Sequence, residues 1–449
     1  MRLAPAVCLS LLSLGAACRA GPTPVPAASP DDAAGRLRAD IAWLADDRLE
    51  GRGTGTAGND SAAAWLARRD AALGLLPLAT DTSRAGCRAT PAPADCRTFL
   101  QRFLVRGIEV ARAGHPGGLA SQNVMALIPG RDAALASEYV VIGAHFDHLG
   151  RSAASAMDPE AGDAIRSGAD DNASGAAAIL ELARRLAAAP PRRSVLVVHF
   201  TAEELGLLGS QWFVEHAPVA TDSIVAMLNF DMVGRLRADR LIVYGTGTAR
   251  ELPDILASAN AGTGLRIASV ADGFGPSDHS SFHARGIPVL HFFTDLHDDY
   301  HRATDRVEKI DTAGEARIVA LAERVVREVA DRSSRLTVPA PTVAAQAVAT
   351  DSATAAVTGS DVFLGTVPDM AGGDVVGLRL TGVRTGSPAE RAGLRAGDLI
   401  VVLGGVAVRD LYSYSRALYA HRPGDQVTIG VLRAGQPVAV TATLGSRPR

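Results

Sequence analysis

The sequence predicts an α/β domain built on a mixed, largely parallel β-sheet sandwiched by helices, followed by a small β-rich domain. The first observation is that apolar runs alternate with helical patterns between residues 99 and 332. Such continuous apolar runs are typical of strands that helices cover on both faces. The second is a stretch of Ala, Thr, Val, Ser and Pro without periodicity at 334–360, which is linker composition. The third is a series of short apolar runs, separated by Gly-containing turns, at 361–446.

The first domain, residues 31–333, is expected to begin with a helix at 31–46 and a second helix at 60–73. Its strands are expected at 124–128, 139–143, 195–200, 224–230, 241–244 and 289–293, and helices that cover the sheet at 173–188 and 313–332.

The N-terminus is predicted to direct the chain to export. Residues 1–20 begin Met-Arg, continue through an apolar stretch too short to span a bilayer, and end in small residues, as secretory signal peptides do. The segment Leu-Gly-Ala-Ala-Cys that ends at Cys18 resembles a lipoprotein cleavage box, so lipidation of Cys18 and simple secretion both stay open. We expect a periplasmic or extracellular protein that contacts membrane only through such a lipid. In that oxidising compartment a disulfide between Cys87 and Cys96 is favoured over two free thiols.

Charge and motif content exclude several classes of function. The formal net charge of -3, without a long charge run, indicates no binding of nucleic acid or of an anionic membrane surface. The string G-x-G-x-x-G at 53–58 lacks the preceding strand that a dinucleotide site requires, so a loop that braces the domain is the better interpretation. Neither G-x-S-x-G nor H-E-x-x-H occurs. Peptides or other small substrates suit this chain better.

Polar side chains follow the predicted strands directly. His145 and Asp147 come after one strand, Glu203 and Glu204 after the next, and Asp231 after a third. Because ligand sites in open α/β sheets lie beyond the carboxyl ends of strands, we expect these side chains to converge. We also expect Asp147 to accept a hydrogen bond from the His145 ring, since positions two apart in an extended chain face the same side.

Two further segments add ligand candidates. Asp170 and Asp171 precede a predicted helix opposite His145, although Asn172, and with it Asp170, also fits a helix-capping role. His301 lies in another acidic segment. Two adjacent glutamates repel each other unless a cation is near, and one can bind metal while its neighbour acts as general base. Two histidines and three carboxylates suit zinc and leave room for water.

From about residue 40 to residue 332 the chain resembles the co-catalytic zinc peptidases of metallopeptidase family twenty-eight, which includes secreted bacterial aminopeptidases and glutamate carboxypeptidase-like enzymes. The matching pieces lie at 50–54, 145–147, 168–175, 203–204, 229–231, 277–279 and 300–301. The resemblance implies an aminopeptidase with two zinc ions per chain, which removes N-terminal residues from peptides. It implies that Asp171, three residues before Ser174, bridges both ions, and that the next peptide bond is cis.

The resemblance also distributes the remaining roles. His145 and Asp231 complete one zinc site, Glu204 and His301 complete the other, Asp147 orients a ligand, and Glu203 is the general base.

Substrate selectivity follows less directly from the resemblance. Met232, Phe293 and Tyr300 are implied to line the side-chain pocket, with ordinary core packing an equal alternative for Phe293. An apolar pocket favours Leu, Met or Phe at the substrate N-terminus. Carboxypeptidase or dipeptidase selectivity stays open. Glutaminyl-cyclase-like acyl transfer and a peptide-binding protein with an inactive peptidase domain are the rival functions.

The segment 383–400 resembles the characteristic part of bacterial PDZ domains. The resemblance implies that Phe363, Leu364 and Gly365 form a loop whose amides capture a peptide C-terminal carboxylate, while the peptide pairs with a sheet edge. A β domain that only docks on the peptidase is the alternative.

Overall fold

A computed structural model describes residues 30–446, except 82, 84–86, 88–92, 107–109, 111–114, 154, 340–361, 369–375, 385, 409–413 and 415–416. The expected signal peptide with Cys18, and residues 340–360 of the expected linker, lie outside the described residues. The described residues form a large α/β domain and a small β-rich domain, as the sequence predicts.

A nine-stranded mixed sheet is the centre of the first domain, within the described residues. Its strands are β1 (Leu76–Pro77), β2 (Leu100–Val105), β3 (Leu119–Ile128), β4 (Tyr139–His145), β5 (Ser194–Phe200), β6 (Ile224–Phe230), β7 (Arg240–Tyr244), β8 (Arg266–Val270) and β9 (Val289–Phe293). The spatial order is β1-β3-β5-β4-β6-β9-β7-β8, and β2 pairs with β3.

The middle of this sheet is parallel. β5, β4, β6 and β9 run in one direction; the register of β4 with β5 begins at the Tyr139–Ser194 pair and ends at the His145–Phe200 pair, at the carboxyl ends of both strands. The outer pairings of β1, β2 and β5 with β3 and of β7 with β9 are antiparallel, while β7 and β8 are parallel. The sheet is therefore largely parallel at its centre and mixed overall. Every residue of β5 and β6 is buried, which explains their continuous apolar sequences.

Helices cover both faces of the sheet. They are α1 (Pro30–Leu44), α2 (Ala57–Ala72), α3 (Gly175–Ala188), α4 (Leu208–Glu215), α5 (Leu252–Asn260), α6 (His279–His283) and α7 (Thr312–Asp331). Residues of α3, α5 and α7 pack on one face in the largest core cluster, and residues of α4 and α6 pack on the other. α1 lies against α3 and α7.

Local chemistry sets where the helices begin. The Thr56 hydroxyl accepts a hydrogen bond from the Asn59 amide at the start of α2, and the Asp311 carboxylate accepts one from Gly314 at the start of α7. The helix expected from residue 173 begins at Gly175 instead, because Asp171 and Asn172 have non-helical dihedral angles. This correction moves the functional loop outside the helix.

The second domain is β-rich. Its strands are β10 (Val362–Phe363), β11 (Thr366–Pro368), β12 (Leu378–Val383), β13 (Leu399–Leu403), β14 (Val406–Ala407), β15 (Gln426–Arg433), β16 (Gln436–Thr443) and β17 (Gly445–Ser446), with a short helix α8 (Pro388–Arg391). They enclose a core of their own, which includes Leu364, Ile400 and Ile429. Of the helix expected near 412–420, residues 414 and 417–419 are helical, and 412, 413, 415 and 416 lie outside the described residues.

Two further expectations concern export. Cys87 and Cys96 form a disulfide and are both buried, as predicted. Within the described residues, no helix combines the length and the apolar character needed to cross a membrane.

Candidate active site

One histidine and three acidic side chains lie at the edge of the sheet where the parallel strands end. β4 ends at His145, β5 leads into Glu203 and Glu204, and β6 leads into Asp231. All four side chains are buried or nearly buried. Their meeting follows from the topology, because β5, β4 and β6 are adjacent and parallel.

The loop before α3 brings in Asp171. Its neighbour Asn172 is fully buried and donates from its amide nitrogen to the Phe230 carbonyl at the end of β6, 2.9 Å away. The Asn172 side-chain oxygen accepts from the Gly175 amide, at 2.8 Å, so this residue has the capping role considered from sequence. The Asp171–Asn172 peptide bond is cis. A Cβ on Gly175 would lie 2.3 Å from the Phe230 carbonyl oxygen, so only glycine permits this close approach.

Asp171 faces two histidines with its two carboxylate oxygens. Its Oδ1 lies 3.3 Å from Nε2 of His145, and its Oδ2 lies 3.1 Å from Nε2 of His301. Asp231 Oδ1 lies 3.4 Å from the same His145 nitrogen, and Glu204 Oε2 lies 3.2 Å from the same His301 nitrogen. The five residues expected to be ligands are thus together, in two groups that share Asp171.

Glu203 stands slightly apart from these groups. Its Oε2 is 3.9 Å from His145 Nε2, further than the oxygens of Asp171 and Asp231. Its side-chain oxygen is still near enough to His145 and Asp231 for these three residues to form a set that could hold a cation. Distance therefore favours a role other than ligand for Glu203.

The prediction that the His145 ring donates a hydrogen bond to the Asp147 carboxylate is wrong. The His145 Nδ1 atom lies 3.2 Å from the main-chain oxygen of Asp147 and 3.7 Å from its carboxylate. The carboxylate instead accepts from the Thr54 hydroxyl at 2.8 Å and from the Glu203 amide at 3.2 Å. β4 ends at His145, so the strand geometry assumed from the spacing does not extend to Asp147. Asp147 consequently positions the Glu203 backbone.

His148 is the site residue that the sequence reasoning did not assign. Its Nδ1 lies 2.8 Å from Glu204 Oε1 and 3.8 Å from Asp171 Oδ2, and its ring packs edge-on against His301. Its position three residues after His145, beyond the same strand, was the available signal. His148, Asp171 and Glu204 also offer donor atoms close enough together to hold a cation, and the other ring nitrogen of His148 is buried without a hydrogen-bond partner among the described residues.

The contacts of Asp170 and Asp171 distinguish which of the two faces the candidate ligands. The Asp170 carboxylate accepts from Ser174 and Gly234 and lies 3.0 Å from His297 Nε2. These contacts point it away from His145 and His301 and occupy it with structural hydrogen bonds. Asp171 alone of the pair faces both groups.

Burial and charge perturb the titration of the site. Burial raises the pKa of Glu204, but the charge of His301 and hydrogen bonds to His148 and His301 lower the pKa to about 2. Burial likewise raises the pKa of Asp171, and hydrogen bonds with His145 and His301 outweigh it and hold the pKa well below the usual value. Burial raises the pKa of Glu203 well above its usual range, because the charges of Glu204 and Asp231 act in the same direction and together with burial outweigh the charge of His145, which lowers it. Glu204 and Asp171 thus favour the charged carboxylate, whereas Glu203 favours the protonated form.

The donor set fits zinc. Imidazole nitrogens and carboxylate oxygens are both common zinc ligands, and each group pairs one histidine with two carboxylates. Asp231 Oδ1 is buried and has no hydrogen-bond partner among the described residues, so a donor atom is available there. Burying this many carboxylates together is costly unless cations compensate them.

Two known protein families match this chain. Residues 123–326 match the model of Peptidase family M28, and residues 359–444 match that of the PDZ domain. The chain contains a peptidase family M28 domain followed by a PDZ domain. The curated relative aminopeptidase YwaD of Bacillus subtilis (strain 168) is 32% identical over 176 residues, 36% of this chain. The matched segment spans 38% of YwaD.

Solved structures share the fold of the M28 domain at low sequence identity. The zinc aminopeptidase BSAP from Bacillus subtilis is 19% identical with a TM-score of 0.50, over 68% of this chain and 98% of BSAP. Glutaminyl cyclase from Bacteroides thetaiotaomicron is 17% identical with a TM-score of 0.51, over 66% of this chain and 97% of that chain. The fold is therefore common to enzymes of different names, and the site must distinguish between them.

The residues expected to line the substrate pocket meet in one apolar cluster of the M28 domain. Met232, Phe293 and Tyr300 pack together with Ile242 and Tyr244. Tyr300 stacks on His301 with ring centroids 3.9 Å apart, so the cluster adjoins the candidate ligands. Phe293 and Met232 are only 1% and 3% exposed, which matches the core-packing alternative, whereas Tyr300 is partly exposed.

The expected carboxylate-binding loop of the PDZ domain lies between β10 and β11. Gly365 has a φ of +84°, and a Cβ there would lie 2.3 Å from Cβ of Ser387, so glycine is required. The Leu364 carbonyl accepts from Ala389 in α8, and the Gly365 carbonyl accepts from Arg384, both at 2.8 Å. Phe363 pairs with Gly445. The loop is thus anchored through its carbonyl groups.

Proposed function

We propose that this protein is an exported zinc-dependent aminopeptidase that uses two metal ions and a glutamate general base. One observation carries the proposal: Asp171 directs one carboxylate oxygen to His145, beside Asp231, and the other to His301, beside Glu204. A bridging carboxylate between two ligand groups is the arrangement that a two-metal site needs.

In this proposal His145 and Asp231 would hold one zinc ion, Glu204 and His301 would hold the other, and Asp171 would be shared between the two. Zinc bound there would supply Lewis acidity, which would make a water more acidic and polarise the carbonyl of the scissile peptide bond. His148 keeps Glu204 oriented through the 2.8 Å contact between Nδ1 and Oε1.

Glu203 is the proposed general base. Its carboxylate accepts the proton of the attacking water and then gives it to the nitrogen of the leaving amine. The raised pKa of Glu203 suits a group that must hold a proton between these two steps. Asp147 fixes the Glu203 amide at 3.2 Å, and so holds the base beside the ligands.

Aminopeptidase selectivity is proposed from two acidic side chains of the site, Glu203 and Asp231. Glu203 and Asp231 are expected to bind the substrate ammonium, as the family resemblance implies. The apolar cluster with Met232 and Tyr300 adjoins them and favours Leu, Met or Phe at the substrate N-terminus. The name of the relative YwaD supports this choice over carboxypeptidase or dipeptidase selectivity.

Export and the PDZ ligand are further parts of the proposal. The disulfide between Cys87 and Cys96 supports an oxidising compartment, in agreement with the N-terminal signal layout. The PDZ domain is proposed to bind the C-terminal carboxylate of a peptide at the loop with Leu364 and Gly365.

Product analysis tests the proposal. Purified protein with added zinc is incubated with a library of peptides that have free or acetylated N-termini, and the products are read by mass spectrometry. We expect single-residue removal from free N-termini, which chelation abolishes. Removal of C-terminal residues, or cyclisation of N-terminal glutamine without hydrolysis, would refute the aminopeptidase assignment.

A further inference from the structure

Arg52 is a buried cation that the proposed chemistry does not use. Its side chain is fully buried, and its guanidinium donates to four main-chain carbonyl oxygens. Burial lowers the pKa of Arg52 to about 10, and the charges of nearby carboxylates, Asp147 first, oppose this shift. Arg52 therefore remains charged at neutral pH.

The carbonyls that Arg52 holds belong to segments that carry candidate ligands. Its Nε lies 2.7 Å from the Phe146 oxygen, one residue after His145. Its terminal nitrogens lie 2.7 Å from the Ser167 oxygen and 2.9 Å from the Gly168 oxygen, three residues before Asp171. A fourth hydrogen bond goes to Leu44, the last residue of α1. One planar guanidinium thus connects the His145 and Asp171 segments.

The backbone is shaped to insert this side chain. Glu50, Gly51 and Arg52 all have positive φ, at 48°, 69° and 53°. Non-glycine residues rarely adopt this conformation, and runs of it are disfavoured. A Cβ on Gly51 would lie 2.1 Å from the Arg166 carbonyl oxygen, so glycine is required there. A conformation this unusual points to a specific need for the Arg52 side chain.

Residues 52–54 also contact the loop that follows His145, residues 146–148, through both backbone and side-chain atoms. The Arg52 carbonyl accepts from the His148 amide at 3.4 Å, and Thr54 donates to the Asp147 carboxylate. The Asp147 main-chain oxygen in turn faces His145 Nδ1. Because the Arg52 guanidinium also donates to the Phe146 carbonyl, residues 146, 147 and 148 are each held by the segment 52–54.

We propose that Arg52 is a positioning residue for the metal centre, which sets the distance between the His145 loop and the Asp171 loop. The inference rests on the proposed zinc site. Outer partners of metal ligands typically change metal affinity by about 10- to 100-fold when they are removed. Lysine cannot replace arginine here, because a single ammonium with three donors cannot reach four carbonyls arranged around a planar fork.

Arg193 provides a matched control. It is also a buried arginine, it donates to the Val329 and Arg332 carbonyls and to Glu138, and it precedes β5 at the opposite edge of the sheet. Substitution of Arg193 should destabilise the fold without affecting the metal centre.

Metal affinity measured on the full chain tests the inference. Arg52→Lys, Arg52→Met, Arg193→Lys and Arg193→Met are compared with the wild type by competition with a zinc chelator, alongside thermal unfolding of the metal-free proteins. We expect about 10- to 100-fold weaker zinc binding for both Arg52 variants and less than about 2-fold change for the Arg193 variants. Co²⁺ substitution should give altered d–d absorption only in the Arg52 variants.

The outcomes separate this inference from the function it rests on. A wild-type protein that holds no zinc refutes the proposed function itself. Wild-type zinc affinity in folded Arg52→Lys or Arg52→Met refutes the positioning role. If neither Arg52 variant folds while both Arg193 variants do, Arg52 serves the fold and the inference is wrong.

Discussion

Substitution of Glu203 by glutamine separates the general base from the metal ligands. The change replaces one carboxylate oxygen by an amide nitrogen and leaves the size of the side chain nearly unchanged. The Glu203 backbone is held independently of its side chain, because its amide donates to Asp147 and its carbonyl accepts from Gly206 and Leu207. We therefore expect the local fold to survive.

The distances predict that zinc also stays bound. Glu203 Oε2 is 3.9 Å from His145 Nε2, whereas Asp171 and Asp231 place oxygens at 3.3 and 3.4 Å. The lost group is the proton acceptor, and general-base catalysis contributes about 10²- to 10⁴-fold in rate. This corresponds to about 3 to 5 kcal/mol in the activation free energy. The expected result is a loss of kcat of that size with full metal content.

Glu204→Gln is the matched variant. Glu204 lies 3.2 Å from His301 and 2.8 Å from His148, and an amide is a poorer metal ligand than a carboxylate. We expect it to lose about one zinc ion per chain. Both variants are assayed for zinc by elemental analysis and for hydrolysis of an aminoacyl substrate. If Glu203→Gln loses zinc while Glu204→Gln keeps it, the two roles are reversed. Full activity of Glu203→Gln would refute the mechanism.

Four other predictions follow from the same geometry. Elemental analysis should find about two zinc ions per chain, since two ligand groups share Asp171, and a single tightly held ion would contradict the bridging role. N-acetylated peptides should resist hydrolysis; cleavage at the same rate as free peptides would exclude an ammonium site at Glu203 and Asp231. Deletion of 361–449 should leave hydrolysis of small aminoacyl substrates largely intact, because every candidate ligand precedes residue 334, and loss confined to long peptides would indicate recruitment by the PDZ domain. Cys87 and Cys96 are 9 residues apart, so reduction of their disulfide should lower the free energy of unfolding, measured by denaturant titration, by about 2 to 3 kcal/mol. An unchanged free energy of unfolding would show that this disulfide does not contribute to stability.

The sequence was informative wherever a functional residue sits at the end of a regular element. Buried strands have continuous apolar runs, so their carboxyl ends, and the acidic residues that follow them, can be located from the local pattern. His145, Glu203, Glu204 and Asp231 were predicted in this way. The M28 and PDZ resemblances likewise rest on short ordered motifs.

The tertiary structure decided what depends on residues distant in the chain. The hydrogen bond of His145 goes to the main-chain oxygen of Asp147, because β4 ends at His145 and the spacing alone does not reveal the backbone conformation beyond it. His148 orients Glu204 across 56 residues of sequence, and Arg52 reaches Gly168 across 116. Side-chain type and local periodicity cannot predict such contacts, because the contacts form only when the folded sheet brings separate loops to the same edge.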